Sequence, residues 1–178
     1  APANHQQGLV GHSAGWSLSE SGSAGGGFLY HLENNQVVVG LIVDLSYSNP
    51  HVSPFDEFQR FKHNTAIKQY LEGGKRVSYG ARAISKGGLN SLPKMTFPGG
   101  LLVGCDAGTL NFAKIKGSHT AMKSGMLAAE AVFEAIKGGS AGGDELTGFA
   151  DAFKASSVHD ELYRSRNFGA AMHKYGTY

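Results

Sequence analysis

GCDAGTLNFAKIKGSHTAMKSGMLAAE, residues 104–130, carries the pattern that decides the fold of this chain. The apolar residues 101–106 predict a short buried strand, and a glycine-bearing loop separates it from a helix predicted over residues 118–137. The result is a strand-loop-helix unit that presents a helix N-terminus. Five apolar positions recur at helical spacing and predict a stripe of ordinary core along this helix: Met122, Met126, Ala129, Phe133 and Ile136.

The end of the predicted strand and the start of the predicted helix supply candidate binding residues. Gly117, Ser118 and Thr120 surround the first N–H groups of the helix, where the positive end of the dipole suits a phosphate or a flavin carbonyl. Asp106 follows the predicted strand and could accept hydrogen bonds from a ribose or ribityl hydroxyl. Alternatively, Asp106 caps its loop and Ser118 caps its helix. The spacing leaves both interpretations open.

Upstream of this unit the sequence predicts an antiparallel hairpin and two helices. The hairpin spans residues 27–45, with Asn34 and Asn35 in its turn because asparagine tolerates a positive φ. Ser53 followed by Pro54 predicts the start of an amphipathic helix. A shorter helix is expected over TAIKQYLE. One face of the first helix is predicted to carry three phenylalanines: Phe55, Phe58 and Phe61.

The middle and the end of the chain give weaker signals. KRVSYGARAI, residues 75–84, predicts a further strand, and the glycines and prolines of residues 85–100 predict an irregular loop. Apolar side chains in that loop suit a protein interface, a membrane surface or inward packing: Leu92, Met95 and Phe97. Five later apolar positions predict a helical C-terminal segment: Leu146, Phe149, Phe153, Val158 and Leu162.

Composition excludes several function classes. The 178 residues carry 16 Lys and Arg against 14 Asp and Glu without a basic block, which argues against a nucleic-acid partner. The single cysteine, Cys105, excludes an internal disulfide, a zinc ribbon and an iron-sulfur cluster ligated by this chain alone. The eight scattered histidines suggest no metal site, and no apolar run reaches the roughly 20 residues of a membrane-spanning helix.

Three long blocks carry a family resemblance: GGFLYHLENNQVVVGLIVDLSYSNPHVSPFDEFQRFK, LEGGKRVSYGARAISKGGLNSLPKMTFPGGLLVGCDAG and KIKGSHTAMKSGMLAAEAVFEAI. From about Gly15 to the C-terminus the chain closely resembles the electron transfer flavoprotein-ubiquinone oxidoreductase family. The resemblance implies an enzyme that uses FAD and a 4Fe-4S cluster to pass electrons from reduced electron transfer flavoprotein to ubiquinone. It also implies a monotopic protein at the surface of a bacterial or mitochondrial inner membrane.

The resemblance assigns roles to particular residues. The glycine pair Gly25 and Gly26 would bring its backbone to a quinone oxygen, with Phe28 as neighbouring apolar surface. Ala24 stands where the family usually has a tyrosine before this pair. The family's FAD contacts correspond to the residues already singled out at the strand end and the helix start: Asp106, Gly117, Ser118 and Thr120.

The resemblance also indicates what this chain does not supply. It has no G-x-G-x-x-G element for the FAD pyrophosphate, and one cysteine cannot replace four cluster ligands. We therefore expect a soluble internal piece of the enzyme that binds FAD weakly or not at all by itself. No residue is predicted to be catalytic in the acid-base sense, because the cofactors carry the electrons.

The expected fold is α+β. An antiparallel sheet with flanking helices would form the quinone-binding domain over residues 1–97. A strand-loop-helix segment returning from the FAD domain would occupy residues 98–137, and a linker with a helical segment residues 138–178.

Two other interpretations of the sequence remain open at this point. GHSAG, residues 11–15, satisfies the G-x-S-x-G pattern of a serine hydrolase with Ser13 as nucleophile and Asp144 and His159 downstream. The chain could instead be a non-catalytic packing module derived from the quinone-domain fold. His119, in the first turn of the predicted helix, is either a residue that tunes a flavin potential or a solvated histidine.

Overall fold

The computed structural model describes residues 4–140 and 142–175 and divides them into two compact units, with the division between residues 80 and 81. The first unit carries a three-stranded sheet and two helices, and the second carries a two-stranded ribbon and five helices. This arrangement is α+β, as predicted. The division into residues 1–97, 98–137 and 138–178 stays a prediction.

The sheet of the first unit is fully antiparallel. Its strands are β1 (Val10–Ala14), β2 (Gly25–His31) and β3 (Val37–Val43), and β2 lies in the centre. Asn34 and Asn35 both have φ of 56° in the β2–β3 turn, so the predicted hairpin and its turn are confirmed. Strand β1 was not predicted, because VGHSA has no clear alternation of apolar and polar residues.

Helix α1 (Pro54–Lys62) begins where the sequence predicts. The Ser53 side chain accepts a hydrogen bond from the Asp56 N–H at 3.3 Å, which caps the first turn. The three phenylalanines predicted to share one face of this helix do not share one environment. Phe61 is buried under the sheet, whereas Phe55 is 69% exposed. A second helix, α2 (Thr65–Lys68), is shorter than expected because its last turn opens toward Gly73.

Residues 75–84 form no strand. They have no regular structure, and residues 72–87 are exposed throughout. A strand needs a hydrogen-bonded neighbour, and none of the described strands pairs with this stretch. The strand prediction is therefore wrong for this structure.

The predicted irregular loop and the strand after it are both corrected in the second unit. Strand β4 (Thr96–Phe97) lies in the stretch predicted to be irregular and pairs with β5 (Gly100–Leu101), which begins at the last residue of that stretch, in a two-residue antiparallel ribbon. The strand predicted over residues 101–106 ends at residue 101, because Gly104 adopts φ of +62° and the chain enters helix α3 (Gly104–Ala107).

The long helix α4 (Ser118–Lys137) has the predicted bounds, but the face that it buries is opposite to the face predicted to be core. It buries Thr120, Ser124 and Leu127. The large side chains of the predicted core stripe are exposed, so that prediction is wrong within the described part of the chain: Met122 by 65%, Met126 by 55%, Phe133 by 63% and Ile136 by 72%.

The core of the second unit comes from the ribbon and the C-terminal helices. These helices are α5 (Thr147–Lys154), α6 (Ser157–Ser165) and α7 (Phe168–Tyr175). The helical prediction for this segment is confirmed, and most of its apolar positions are buried. The core cluster consists of Met95, Ala107, Leu127, Phe149, Phe153, Val158 and Leu162. Met95 therefore folds inward, while Phe97 stays 45% exposed.

Candidate functional site

The predicted quinone glycines open the central strand of the sheet. A side chain at Gly25 would clash with the Ile42 carbonyl oxygen and with Leu18, and one at Gly26 would clash with the Ser13 carbonyl oxygen. Glycine is required here because the neighbouring strands and Leu18 approach the backbone closely. The two glycines thus have a structural role in the sheet in addition to any role toward a ligand.

Successive residues of β2 point to opposite faces of the sheet. The face that carries Leu29 and His31 is buried, with 4% and 3% exposure. The opposite face carries Gly26, Phe28 and Tyr30 and is partly open. The structure therefore brings Gly26 and Phe28 to one surface, which we call the open sheet face, and directs Gly25 to the other.

Aromatic and polar groups share the open sheet face. The rings of Phe28 and Tyr30 stack with centroids 4.9 Å apart, and Nε2 of His12 lies 3.0 Å from the Tyr30 hydroxyl oxygen. In the strand register His12 faces Phe28, and Phe28 faces Gly40. This surface combines a flat aromatic platform with hydrogen-bonding side chains. It can accept a planar ring with polar substituents.

A polar cluster holds the turn that leads into Gly25. Nε1 of Trp16 donates to Glu20 Oε1 at 3.0 Å, and the Arg60 guanidinium pairs with Glu20 and lies 5.9 Å from the Trp16 ring centroid. The hydrogen bond from Arg60 lowers the pKa of Glu20. Leu18, fully buried inside this turn, packs against Gly25. Sequence reasoning missed this cluster because its members are as much as 44 positions apart (60 − 16) without a shared motif.

The candidate flavin residues at the start of α4 have different environments. Gly117 is the N-cap residue, and no side chain caps the helix. Ser118 is exposed, so the proposed Ser118 cap is wrong. Thr120 is fully buried, and its hydroxyl donates to the Gly117 carbonyl oxygen at 2.9 Å. The Thr120 hydroxyl is therefore engaged within the turn, while the first N–H groups of the helix have no side-chain cap.

Asp106 lies on α3 and not at a strand end. Its side chain is 84% exposed, and its Oδ1 lies 3.6 Å from Arg82 Nη2. A Cβ on Gly117 would lie 3.2 Å from the Cys105 sulfur, and the Gly104 N–H donates to Ser124 Oγ at 2.9 Å. These contacts place α3 against the start of α4, so the structure brings the Asp106 segment and the helix end together.

The donor set near this helix end fits a flavin in its chemistry. It offers uncapped helix N–H groups, an exposed carboxylate on the adjacent α3 and, in the connecting loop, a Thr109 hydroxyl that is buried without a partner in the described part of the chain. Helix N–H groups favour electron-rich atoms, and a carboxylate accepts from sugar hydroxyls.

His119 is not a freely solvated histidine. Its Nε2 lies 2.8 Å from Glu161 Oε1 on α6, which also accepts from Asn111 Nδ2 at 2.7 Å. Lys114 Nζ pairs with the other carboxylate oxygen at 3.0 Å. The Asn111 hydrogen bond is the largest cause that lowers the pKa of Glu161 to about 2. Glu161 therefore fixes the first turn of α4 to α6.

The structure does not form a hydrolase site at Ser13. Ser13 lies within β1, and its Oγ accepts a hydrogen bond from the Gly27 N–H at 3.2 Å. A nucleophile elbow needs a sharp strand-to-helix turn at this serine, so the hydrolase interpretation is wrong. Among residues 4–140 and 142–175, no group of three or more His, Cys, Asp or Glu could hold a metal ion. None of the described helices is both long and apolar enough to cross a membrane.

Comparison with known proteins adds independent findings. Residues 1–84 match the family model described as ETF-QO, ubiquinone-binding. The chain is 74% identical over 175 residues to the electron transfer flavoprotein-ubiquinone oxidoreductase of Pseudomonas aeruginosa, covering 98% of this chain and 32% of that protein. A protein named probable electron transfer flavoprotein-ubiquinone oxidoreductase in Acinetobacter baylyi is 64% identical over 98% of this chain and 34% of its own length.

A more distant relative follows the same pattern. The mitochondrial electron transfer flavoprotein-ubiquinone oxidoreductase of Homo sapiens is 49% identical over 96% of this chain and 28% of its own length. The chain thus spans about a third of the length of the curated relatives it matches.

Proposed function

Because this chain belongs to the electron transfer flavoprotein-ubiquinone oxidoreductase family, we propose that it supplies the quinone-binding part of an enzyme that passes electrons from reduced electron transfer flavoprotein to ubiquinone. The observation that carries the proposal is the match of residues 1–84 to a ubiquinone-binding family model. Residues 4–80 of the match form the unit with the open sheet face.

In this proposal the quinone ring lies on the open sheet face. Phe28 and Tyr30 supply the platform, and Gly26 leaves room for close approach of the ring to the strand. Ubiquinone needs two electrons and two protons to become ubiquinol, so its oxygens need hydrogen-bonding groups nearby. The Tyr30 hydroxyl and the His12 imidazole provide such groups. Gly25 contributes because it has no side chain, which lets Leu18 pack closely against the strand.

We further propose that the second unit contributes part of a flavin site. The backbone N–H groups of Ser118 and Thr120, next to Gly117, would donate to an electron-rich edge of FAD, and Asp106 would accept from a sugar or ribityl hydroxyl. FAD would supply the electron-carrying chemistry when bound. Glu161 would hold the helix start in place through His119.

The complete enzyme would need an iron-sulfur cluster and a membrane surface that this chain does not itself supply. The 4Fe-4S cluster would take its cysteine ligands from elsewhere in the complete protein, since this chain has Cys105 alone. The substrate quinone is a membrane lipid, so the complete enzyme would work at the surface of a bacterial or mitochondrial inner membrane.

The proposal is tested with a chimera in which this chain replaces the matching 175 residues of the Pseudomonas aeruginosa relative. We expect the chimera to reduce a short-tail ubiquinone analogue with electrons from reduced electron transfer flavoprotein. Phe28→Ala should raise KM for the analogue, whereas Phe55→Ala, at an exposed position on α1, should not.

A second candidate function is a packing module without a role in electron transfer, and the exposed apolar residues of α4 favour it. This alternative predicts that the chimera folds and binds FAD but does not reduce the quinone analogue, or that Phe28→Ala leaves KM unchanged. Either outcome would contradict the quinone-site proposal.

A further inference from the structure

His12 and Tyr30 form a hydrogen-bonded pair on the open sheet face. Nε2 of His12 lies 3.0 Å from the Tyr30 hydroxyl oxygen, and the two rings meet edge to face with centroids 5.6 Å apart. His12 is exposed on β1, and Tyr30 is half-buried on β2. The pair therefore connects an imidazole in contact with solvent to a hydroxyl at the surface of the sheet.

Both members of this pair border the ring of Phe28. His12 lies opposite Phe28 in the β1–β2 register, and Tyr30 is the next residue of β2 on the same face. The Tyr30 ring stacks on Phe28 with centroids 4.9 Å apart. A planar ligand that covers Phe28 would thus have the Tyr30 hydroxyl and the His12 imidazole at its margin.

The two side chains have complementary proton chemistry. Histidine is the side chain that gains and loses a proton near neutral pH, whereas a phenol stays protonated there and passes its proton on only when it receives another. On the open sheet face the neighbours of His12 along β1 are the apolar residues Val10 and Ala14. Among the described residues, Tyr30 is the titratable group that contacts His12. A proton that leaves His12 from Nε2 therefore goes to Tyr30.

We propose that this pair delivers a proton to a quinone oxygen, with Tyr30 as the donor that touches the quinone and His12 as the residue that resupplies Tyr30. The proposal rests on the proposed quinone site. In this step the Tyr30 O–H bond breaks and a new O–H bond forms at the quinone oxygen, while the Tyr30 oxygen takes the Nε2 proton of the His12 imidazolium. His12 is left neutral and, because its side chain is exposed, regains a proton from water.

The electrons and protons of the reaction balance. Ubiquinone takes up two electrons, which reduced electron transfer flavoprotein supplies in the proposed function, and both of its carbonyl oxygens become hydroxyls. The pair supplies the proton at the oxygen nearest Tyr30, and water supplies the proton at the other oxygen. The sequence alone led us to expect no acid or base in this chain, because the cofactors carry the electrons. The proton nevertheless needs a donor of its own.

The test compares Tyr30→Phe and His12→Gln with two controls in the chimera described above. Tyr30→Phe keeps the aromatic platform and removes only the hydroxyl, and His12→Gln keeps a hydrogen-bonding group that cannot gain a proton near neutral pH. The controls are His51→Gln and Tyr163→Phe, at exposed positions outside the sheet. Circular dichroism of each variant checks that it is folded. Reduction of the short-tail ubiquinone analogue is then measured as a function of pH.

For the original chimera we expect kcat to fall by about 10-fold between about pH 6 and about pH 8, because the imidazolium is lost in this range. His12→Gln should have a low kcat throughout and lack this pH dependence. Tyr30→Phe should lower kcat by about 10-fold or more at about pH 6. Both controls should follow the original profile. KM should change less than kcat in His12→Gln, because His12 acts through Tyr30.

Two further readouts separate a role in proton delivery from a structural one. In amide-shift titrations of the 178-residue chain with the analogue, His12→Gln should bind about as tightly as the original chain. Tyr30→Phe should bind about 5- to 10-fold more weakly, which corresponds to one lost hydrogen bond. Imidazole added to the His12→Ala chimera should restore part of kcat, whereas a purely structural role of His12 would leave kcat low.

The results distinguish a failure of the relay from a failure of the quinone site. If the analogue binds the open sheet face but His12→Gln keeps the original pH profile, or Tyr30→Phe keeps the original kcat, the proton comes from elsewhere. The relay is then refuted and the proposed quinone site stands. If the analogue does not bind the open sheet face, the proposed site is refuted and the relay with it.

Discussion

The ring of Phe28 lies over Gly40 of the neighbouring strand and fills the space that a side chain at position 40 would occupy. This relationship explains how the open sheet face keeps an aromatic platform flat against the strands. Glycine at position 40 costs strand stability, and the aromatic ring opposite it compensates by covering the exposed backbone.

Gly40→Val should displace the Phe28 ring. We expect it to lower the free energy of unfolding by about 1–3 kcal/mol, because the new side chain competes with the ring for the same space. Urea denaturation followed by circular dichroism measures this. Val38→Thr, at a 39% exposed position of the same strand, serves as the control and should cost clearly less. A Gly40→Val protein as stable as the original would show that the ring moves away without loss.

Gly27→Ala should be destabilising for a related reason on the buried face. An added Cβ would clash with the Phe61 ring of α1, so the helix has to move away from the sheet. We expect a loss of about 1–3 kcal/mol in the same measurement. Phe61→Leu should recover part of that loss in the double variant by freeing space at the contact. Additive losses in the double variant would argue against a direct conflict between the two residues.

Stability should fall as pH drops through the histidine range because His31 is buried. Burial is the main cause that lowers the pKa of His31, and electrostatic repulsion from the neighbouring His5 lowers it further. The unfolded chain therefore binds a proton at His31 more readily than the folded chain. The stabilisation is complete above the unfolded value of about 6.5 and is lost as pH falls through the lower folded pKa.

His31→Gln tests this pH dependence while keeping an acceptor near the Gln6 N–H, which donates to His31 Nδ1 at 3.0 Å. We expect the free energy of unfolding of this variant to change less between about pH 7 and about pH 5 than that of the original protein. This range begins above the unfolded histidine pKa of about 6.5 and ends below it. His63→Gln, at an exposed position, should leave the slope unchanged. Identical slopes for His31→Gln and the original protein would rule out His31 as the source.

Glu161→Gln should loosen the attachment of α4 to α6. The carboxylate binds Asn111, Lys114 and His119, and we expect its loss to cost about 1–3 kcal/mol at pH 7. Because the folded pKa of Glu161 is lowered to about 2, its contribution is present above the ordinary value of 4.5 and is lost as pH falls toward 2. The difference between the two proteins should therefore shrink in acid. Glu130→Gln, on the exposed side of α4, is the matched control.

The isolated chain should retain little or no FAD. It has no pyrophosphate-binding glycine motif, and its helix end offers only part of a flavin site. After mixing with excess FAD and gel filtration, the protein fraction should lack flavin absorbance, whereas the chimera should carry it. Stoichiometric flavin on the chain alone would contradict this expectation.

Local signals in the sequence predicted the elements that depend on neighbouring residues. Ser53 and Pro54 placed the start of α1, two asparagines placed the β2–β3 turn, and apolar spacing gave α4 its bounds. These features need no information about distant parts of the chain. The resemblance then connected them to a family, and the comparisons agree with it: residues 1–84 match a ubiquinone-binding family model, and the chain is 74% identical to the Pseudomonas aeruginosa relative.

Features that depend on distant partners were not predictable in the same way. The pattern of residues 75–84 indicates a strand but cannot say whether a neighbouring strand is present. The apolar spacing along α4 indicates an apolar face but not whether this face is buried or exposed. The Trp16, Glu20 and Arg60 cluster joins residues far apart in sequence. The individual roles of Asp106, Gly117, Ser118 and Thr120 stay predictions.

The most direct test of the quinone-site proposal is titration of this chain with a soluble short-tail ubiquinone analogue, followed by backbone amide shifts. We predict saturable shifts along Gly26, Phe28 and Tyr30 and across the strand at Gly40 and Ile42. Phe28→Ala should abolish them and Phe55→Ala should preserve them. The absence of saturable shifts on the open sheet face, or shifts that survive Phe28→Ala, would contradict the proposed site.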